Sequence, residues 1–161
     1  MGVVKGLMAL NKCGIRIHIT QKAGFVLIPR QEADGTFSFV LVDEMLGYKG
    51  LPGGRPEKGE SREAAAKREA WEETGCRVKT LGILVKEGEE IIFSGAIKLN
   101  YSVYEAEIEK GELNSKLQGA KYCSQKDIER FIQDGTLLGS YVWIAILHYY
   151  AKENGTVGMS A

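Results

Sequence analysis

The chain has 161 residues, which is enough for one domain with a substantial core and too few to expect two. Its 21 Lys and Arg residues balance 21 Asp and Glu residues, so the zero net charge gives no reason to expect binding to nucleic acid or to a membrane surface. Its three cysteines form no CxxC pair, which argues against a disulfide framework or a structural zinc site and is typical of a cytoplasmic protein.

The N-terminal segment carries few signals. Residues 1–13 show no clear period, and their apolar stretch at residues 6–10 is too short for a signal peptide or a membrane span. Residues 15–19 then alternate isoleucine with polar residues, which predicts a half-buried strand with His18 on its solvated face.

A buried strand and a hairpin are predicted next. Residues 23–29 are almost all apolar, as in a strand that is buried on both faces. Asp34-Gly35 predicts a hairpin turn, with a return strand over residues 36–42. A short connection over residues 45–51 follows and carries Tyr48.

The middle of the chain predicts a helix over residues 61–74, which are rich in Ala, Glu, Lys and Arg. Ser61 is the expected N-cap of this helix. Gly75 suits the left-handed residue with which many helices end.

Three carboxylates share one edge of this predicted helix. Glu69 and Glu73 are one turn apart, and Glu72 lies three residues from Glu69 and beside Glu73. Like charges held this close need protons or a cation to neutralise them. Because the ligands are hard oxygens without a nearby His or Cys, the expected cation is Mg²⁺ or Mn²⁺.

After the helix the pattern returns to strands, with a turn predicted at residues 87–90. The predicted strand segments cover residues 77–86 with a bulge at Gly82, residues 91–94 and residues 96–108. Glu105 and Glu107 would point to one face of the last segment. They are either solvated edge residues, which we favour, or an additional contribution to a metal site.

The C-terminal part predicts a polar loop over residues 110–121, whose only acid is Glu112, and two helices. Ser124 and Asp127 form a capping-box pattern for the first helix, which is expected to end near Gln133. The second helix runs from Ser140 to about Glu153 and is apolar enough to be buried or to form a homodimer interface.

Seven residues of the segment 54–76, called the box below, hold the spacing G-x5-E-x7-R-E-U-x-E-E-x-G-U, in which U is apolar. They are Gly54, Glu60, Arg68, Glu69, Glu72, Glu73 and Gly75. Such a coincidence arises by chance about once in 10⁸ starting positions. The pattern, with Leu51-Pro52-Gly53 before it, resembles the signature of the MutT-like Nudix hydrolases. The resemblance implies an α/β fold, an α/β/α sandwich with a mixed sheet, in one domain over residues 1–161 with flexible ends at 1–13 and 154–161.

The resemblance also implies roles for the box residues. Glu69, Glu72 and Glu73 would hold the Mg²⁺ or Mn²⁺ together with the carbonyl oxygen of Gly53. Glu69 and Glu72 would be catalytic, and Glu69 is our choice as the group that orients or deprotonates the attacking water. Glu60 and Arg68 would form a buried pair that ties the loop to the helix as structural support.

Residues outside the acids are candidates for substrate contacts. Arg55 and Lys58 lie in the loop where phosphates would arrive. Tyr48 could stack on a base, but an anchor for its loop is the interpretation we favour. Asp43 and Glu44 stand where many Nudix proteins place a basic residue, which argues against a nucleoside-triphosphate mode of binding. Which glutamate is the general base, and whether Glu105, Glu107 or Glu112 joins the site, stays open.

The implied activity is Mg²⁺-dependent hydrolysis of a diphosphate linkage in a nucleoside diphosphate joined to another moiety, such as a nucleoside triphosphate or a nucleotide sugar. The alternative is a non-catalytic nucleotide-binding sensor, but such a protein is expected to carry a broken box and this box is whole. The sequence motifs of relatives that cleave ADP-ribose, dinucleoside polyphosphates or NADH are absent. The sequence therefore does not indicate which nucleotide is the substrate.

Overall fold

A computed structural model describes residues 1–15 and 17–155 of the protein. Its strands are β1 (Ile19–Leu27), β2 (Pro29–Gln31), β3 (Phe37–Asp43), β4 (Lys49–Gly50), β5 (Gly53–Gly54), β6 (Arg77–Ile92), β7 (Ile97–Lys110) and β8 (Lys121–Ser124). Its α-helices are α1 (Gly2–Lys12), α2 (Arg62–Thr74), α3 (Ser115–Gln118), α4 (Gln125–Gln133) and α5 (Ser140–Glu153). A short 3₁₀ turn, Met45–Gly47, links β3 to β4. Among the described residues, no helix is both long and apolar enough to cross a membrane.

The larger sheet has the strand order β5-β1-β7-β6 and is mixed. Strand β1 pairs in parallel with β7 from Ile19↔Ile97 to Leu27↔Glu105, and antiparallel with the two glycines of β5. Strands β6 and β7 form a long antiparallel hairpin. The smaller sheet joins β2, β3 and β4 in that order, with β8 added on β3. The mixed sheet confirms the predicted fold class.

Helices cover both faces of the larger sheet. Helix α2 presents small side chains, and Ala66 and Ala70 pack on Val26, Val78 and Ala106. On the opposite face α5 buries an aromatic and aliphatic surface against the sheet, formed by Tyr141, Val142, Ala145, Ile146 and Tyr149. The small residues of α2 let the box helix lie close to β1, which brings the box acids to the sheet.

Several local predictions are confirmed. Residues 23–28 are all buried, and β2 and β3 form the hairpin around Asp34-Gly35. Ser61 caps α2 by accepting the Ala64 amide, and Gly75 ends the helix in the left-handed conformation. Ser124 and Asp127 form the capping box of α4.

Two strand predictions are wrong. Residues 15, 17 and 18 lie outside any strand, and residue 16 is outside the described part of the chain. Ile17 and Ile19 remain 46% and 45% exposed, and β1 begins only at residue 19. The segment 87–90 is part of β6 rather than a turn, and its residues pair with β7. The turn of this hairpin lies at residues 93–96 instead, where Phe93 and Ser94 both take a φ of 51°. The bulge predicted at Gly82 is present.

The interpretation of Glu105 as a solvated edge residue is also wrong. Strand β7 lies between β1 and β6, so it is an interior strand, and Glu105 is buried and paired with Lys152 of α5. Glu107 is exposed. The single-domain boundary and the flexible ends stay predictions; residues 2–12 form α1, and residues 156–161 lie outside the described part of the chain.

Candidate active site

The site is built around the bend that precedes the box. Gly53 has a φ of 150°, which favours glycine, and a side chain here would overlap the Gly24 carbonyl oxygen and lie 2.7 Å from Phe25. At Gly54 a Cβ atom would stand 2.8 Å from the Glu69 carboxyl group. The glycines therefore place backbone without side chains between β1 and the Glu69 carboxylate of α2.

Glu73 is the buried acid of the site. Its Oε2 accepts the Gly53 amide at 3.0 Å, and its Oε1 accepts the Gln118 side-chain amide at 3.3 Å. The carboxyl is only 8% exposed. Burial raises the pKa of Glu73 to about 8, and the neighbouring Glu44 adds to the rise.

Glu69 and Glu72 lie further out on the same helix. Glu69 accepts a hydrogen bond from Arg68 at 2.8 Å and borders the space beside Gly54. The Glu72 side chain is 51% exposed and lies 3.5 Å from Arg68. Among residues 1–15 and 17–155, no three acidic, His or Cys side chains are already arranged as a metal shell. A cation would therefore have to draw Glu69 from Arg68 and Glu72 from solvent.

The donor set fits a hard divalent cation. The side chains that converge on the glycine bend, from Glu44, Glu69 and Glu73, offer oxygen atoms alone, and magnesium and manganese prefer such ligands. Burial is the main cause of the raised pKa of Glu73, and the neighbouring charges of Glu44 and Glu69 raise it further. The predicted ligands Gly53, Glu69 and Glu73 are thus brought together, while Glu72 stands at their solvent side.

A second pair of box residues joins the loop to the helix. The guanidinium of Arg68 donates from Nε and Nη2 to the two carboxylate oxygens of Glu60, both at 3.0 Å. Its Nη2 also donates to the Arg55 carbonyl oxygen at 3.1 Å. The Arg68 guanidinium holds the pKa of Glu60 below its ordinary value. Both side chains are about one-fifth exposed, so the pair is half-buried rather than fully buried.

Arg68→Lys should therefore lower activity about tenfold, because a lysine cannot hold Glu60, Glu69 and the Arg55 carbonyl at once. Turnover and urea unfolding of the purified variant measure the effect, and the unfolding midpoint should also fall. Arg130→Lys is the matched control, since Arg130 makes one exposed ion pair with Asp127. Equal losses of activity in the two variants would show that the contacts of Arg68 with Glu60, Glu69 and the Arg55 carbonyl do not support the site.

Glu44 is the site residue that the sequence argument missed. It follows β3 and is partly buried, and burial together with the charge of Glu69 raises its pKa to about 7. Its neighbour Asp43 turns away and pairs with Lys49. The one available signal was an acid directly after a strand of buried residues. It was interpreted only as the absence of the basic residue that many Nudix proteins have there.

Gln118 was also missed as a contact, although it stands in the loop where an acid was considered. The other candidate acids do not join the group. Glu105 faces α5, on the side of the sheet opposite α2, because Ser102, three positions earlier on β7, bonds Arg62 of α2. Glu112 is exposed and lies beside Gly75, at the far end of the box helix.

Two neighbouring spaces adjoin the acids. The first is a polar cleft of about 470 Å³, lined by Gln21, Gly54, Arg55, Pro56, Glu57, Arg68 and Glu69. The second is a narrower cavity of about 130 Å³ with mostly apolar walls, including Phe25, Phe93, Ile97 and Leu99. Gln21 and Gly54 border both spaces. This arrangement has room for a charged group beside a flat apolar one.

The predicted substrate residues are placed differently from one another. Arg55 lines the polar cleft, whereas Lys58 is exposed and does not. Tyr48 is half-buried and packs edge-to-face on Phe93, with ring centroids 5.6 Å apart. Its ring therefore supports a wall of the apolar cavity from behind.

The raised pKa values of Glu44 and Glu73 predict the response of the cation-free protein to pH. Both carboxyls have an ordinary pKa of 4.5, which the fold raises to about 7 and about 8. Between these limits the folded state binds more protons than the unfolded state, so its free energy of unfolding should fall as pH rises from about 5 to about 8. Urea unfolding in EDTA measures this, and Glu73→Gln should weaken the dependence. A midpoint that rises over this range would contradict it.

Comparison with known proteins gives a family and a fold. The family model for the NUDIX domain matches residues 14–136. A NUDIX hydrolase from Nitrosomonas europaea superposes with a TM-score of 0.67 at 19% identity, covering 83% of this chain and 90% of that one. A MutT NUDIX hydrolase from Burkholderia pseudomallei gives 0.62 at 20% identity, covering 81% and 98%. The Ap4A hydrolase of C. elegans gives 0.62 at 18% identity, covering 83% and 98%. At these identities the structural likeness supports the fold alone.

Proposed function

Because the chain belongs to the NUDIX family, whose members are pyrophosphohydrolases of nucleoside diphosphate derivatives, we propose that it hydrolyses a nucleotide substrate in a Mg²⁺- or Mn²⁺-dependent reaction. The bond broken is a diphosphate linkage between a nucleoside phosphate and another moiety. The observation that carries the proposal is the convergence of Glu69 and Glu73 on the Gly53-Gly54 bend beside a polar cleft.

The acids have separate roles in this proposal. Glu69, Glu72, Glu73 and the Gly53 carbonyl oxygen would hold the cation, which would supply Lewis acidity at the phosphoryl oxygens. Glu69 borders the open cleft and orients or deprotonates the attacking water. Glu73 is anchored by the Gly53 amide, so it fixes the bend relative to the helix. Glu60 and Arg68 position the loop and take no part in the chemistry.

The two spaces suit the two ends of a nucleotide. The polar cleft presents Arg55, which suits a phosphate group, since guanidinium groups pair well with phosphate oxygens. The apolar cavity presents aromatic and aliphatic walls, which suit a nucleobase. Attack by water on phosphorus then releases a nucleoside phosphate from the partner group. A nucleoside triphosphate and a nucleotide sugar both meet these requirements.

The experiment is a panel of nucleoside triphosphates, nucleotide sugars, ADP-ribose, dinucleoside polyphosphates, NADH and coenzyme A. Each compound is incubated with the protein and Mg²⁺, and released phosphate or nucleotide is measured. We expect turnover of at least one nucleoside diphosphate derivative and its loss in EDTA. Binding by calorimetry without turnover of any compound would favour the nucleotide sensor instead.

Two further properties belong to the proposal. The nucleotide is a free small molecule rather than nucleic acid, in keeping with the zero net charge, and the protein works in the cytoplasm. A homodimer through α5 is tested by the solution mass, since Leu147 of that helix is 47% exposed while Val142 and Ile146 are buried in the protomer.

A further inference from the structure

One carboxylate outside the box faces the same space as the box acids. Glu44 is partly buried next to Gly53 and Gly54, and its charge acts on Glu73 while that of Glu69 acts on Glu44. Within the described residues no Lys, Arg or His side chain pairs with Glu44, and its carboxylate accepts no hydrogen bond. The guanidinium of Arg68, which lies near these acids, already donates hydrogen bonds to Glu60 and Glu69. The partly buried Glu44 and the buried Glu73 therefore have no cationic side chain of their own within the described residues.

A buried hydroxyl group that has no acceptor in the described part of the chain lies on the same side of Gly50 as Glu44. Tyr141 has no solvent exposure, and the Leu51 amide lies near its Oη. Within the described residues no acceptor receives the hydroxyl proton of Tyr141. A Cβ atom built on Gly50 would lie 2.8 Å from this Oη, 3.0 Å from Glu44 Cγ and 3.4 Å from Glu44 Oε1. The hydroxyl and the carboxylate thus flank one glycine. A buried hydroxyl without an acceptor is unfavourable, so its position calls for an acceptor that arrives in another state of the site.

The hydroxyl is held firmly in this place. The Tyr141 ring stacks on Phe25 with centroids 4.5 Å apart and lies 5.6 Å from the Tyr101 ring. The first turn of α5 is fixed by Glu90 of β6, which accepts the Ser140 and Tyr141 amides at 2.9 and 2.6 Å. Because ring and backbone are both fixed, Glu44 rather than Tyr141 is the group free to adjust.

We propose that Glu44 is an additional carboxylate ligand of the divalent cation and that the Tyr141 hydroxyl is the donor that positions it. The proposal rests on the proposed function, because it assumes that the box acids take a cation. A divalent cation there would compensate the charge that Arg68 leaves uncompensated, and the Glu44 carboxylate would be the acceptor that Tyr141 Oη lacks. The pair links α5 to the segment around Gly50 that borders the site.

The experiment measures Mn²⁺ binding to the full-length protein by calorimetry and by electron paramagnetic resonance, without substrate. Glu44→Gln should weaken Mn²⁺ binding by about 100-fold, and Tyr141→Phe by about tenfold. The matched controls are Asp43→Asn, which changes the neighbouring acid in its exposed pair with Lys49, and Tyr150→Phe, which changes a tyrosine of the same helix. Both controls should bind Mn²⁺ as the parent does.

Thermal unfolding shows whether the variants fold. In EDTA Glu44→Gln should melt at or above the parental temperature, since it removes an uncompensated charge, while the stabilisation by Mn²⁺ should shrink. Parental Mn²⁺ affinity in Glu44→Gln, with or without a loss of nucleotide affinity, would overturn the proposal, and parental affinity in Tyr141→Phe would overturn the positioning role. A parent that binds Mn²⁺ but cleaves no compound of the panel would refute the proposed function and leave this inference standing.

Discussion

Replacing Glu73 with glutamine should lower turnover by about 10³-fold, equivalent to about 4 kcal/mol of transition-state stabilisation, and leave the fold intact. The substitution keeps the size of the side chain and an oxygen that can accept the Gly53 amide, but it removes the negative charge. A neutral amide oxygen is a much weaker ligand for a divalent cation than a carboxylate. Steady-state kinetics with saturating Mg²⁺ would measure the loss, and circular dichroism would report the fold.

The matched control for this prediction is Glu89→Gln. Glu89 is half-exposed on β6 and pairs with Lys98 on the surface, so its charge is expected to contribute little to activity or stability. If Glu73→Gln retained the parental rate, or if both variants lost activity equally, Glu73 would not be a cation ligand.

Gly53→Ala should destabilise the protein by about 2–5 kcal/mol and abolish activity in the protein that remains folded. The methyl group would overlap the Gly24 carbonyl oxygen and lie 2.7 Å from Phe25, at a φ of 150° that L residues rarely adopt. Relief of the clash requires β5 to move from β1, which breaks the contact of the Gly53 amide with Glu73. Urea unfolding followed by tryptophan fluorescence would measure the loss.

Gly82→Ala is the control for the effect of adding a methyl group to a glycine. Gly82 lies at a bulge of β6, and a Cβ atom there would have no neighbour within 4 Å. Its expected change in unfolding free energy is within about 0.5 kcal/mol. A Gly53→Ala variant as stable as Gly82→Ala would show that the backbone at the bend has more room than the contact of β5 with β1 indicates.

The sequence predicted those parts of the site that depend on local geometry. Helix periodicity alone placed Glu69 and Glu73 one turn apart, and the spacing of Ser61 and Gly75 predicted both ends of α2. The Glu60 and Arg68 pair is eight residues apart and was implied by the resemblance. What these residues share is that the chain between them is short or regular, so spacing determines where they meet.

The failures depend on strand order and long-range contacts. Nothing in the local pattern of Glu105 tells that β7 lies inside the sheet, because strand order depends on the parallel pairing of β1 with β7. The polar run 87–90 resembles a turn until β7 pairs with it. Glu44 reaches the box acids only when β3, β5 and α2 are assembled, so its place could not be derived from its neighbours along the chain.

The parallel pairing of β1 with β7 also governs how the protein can fold. The two central strands of the larger sheet pair only when residue 19 contacts residue 97. Until then, β1 can pair in that sheet only with the two glycines of β5. Such distant contacts lower folding rates, because loop-closure entropy is lost before the contacts form. A nascent chain that ends before β7 therefore contains the whole box helix but lacks the central strand of the sheet on which this helix packs. The acidic site can form only after most of the polypeptide has been synthesised.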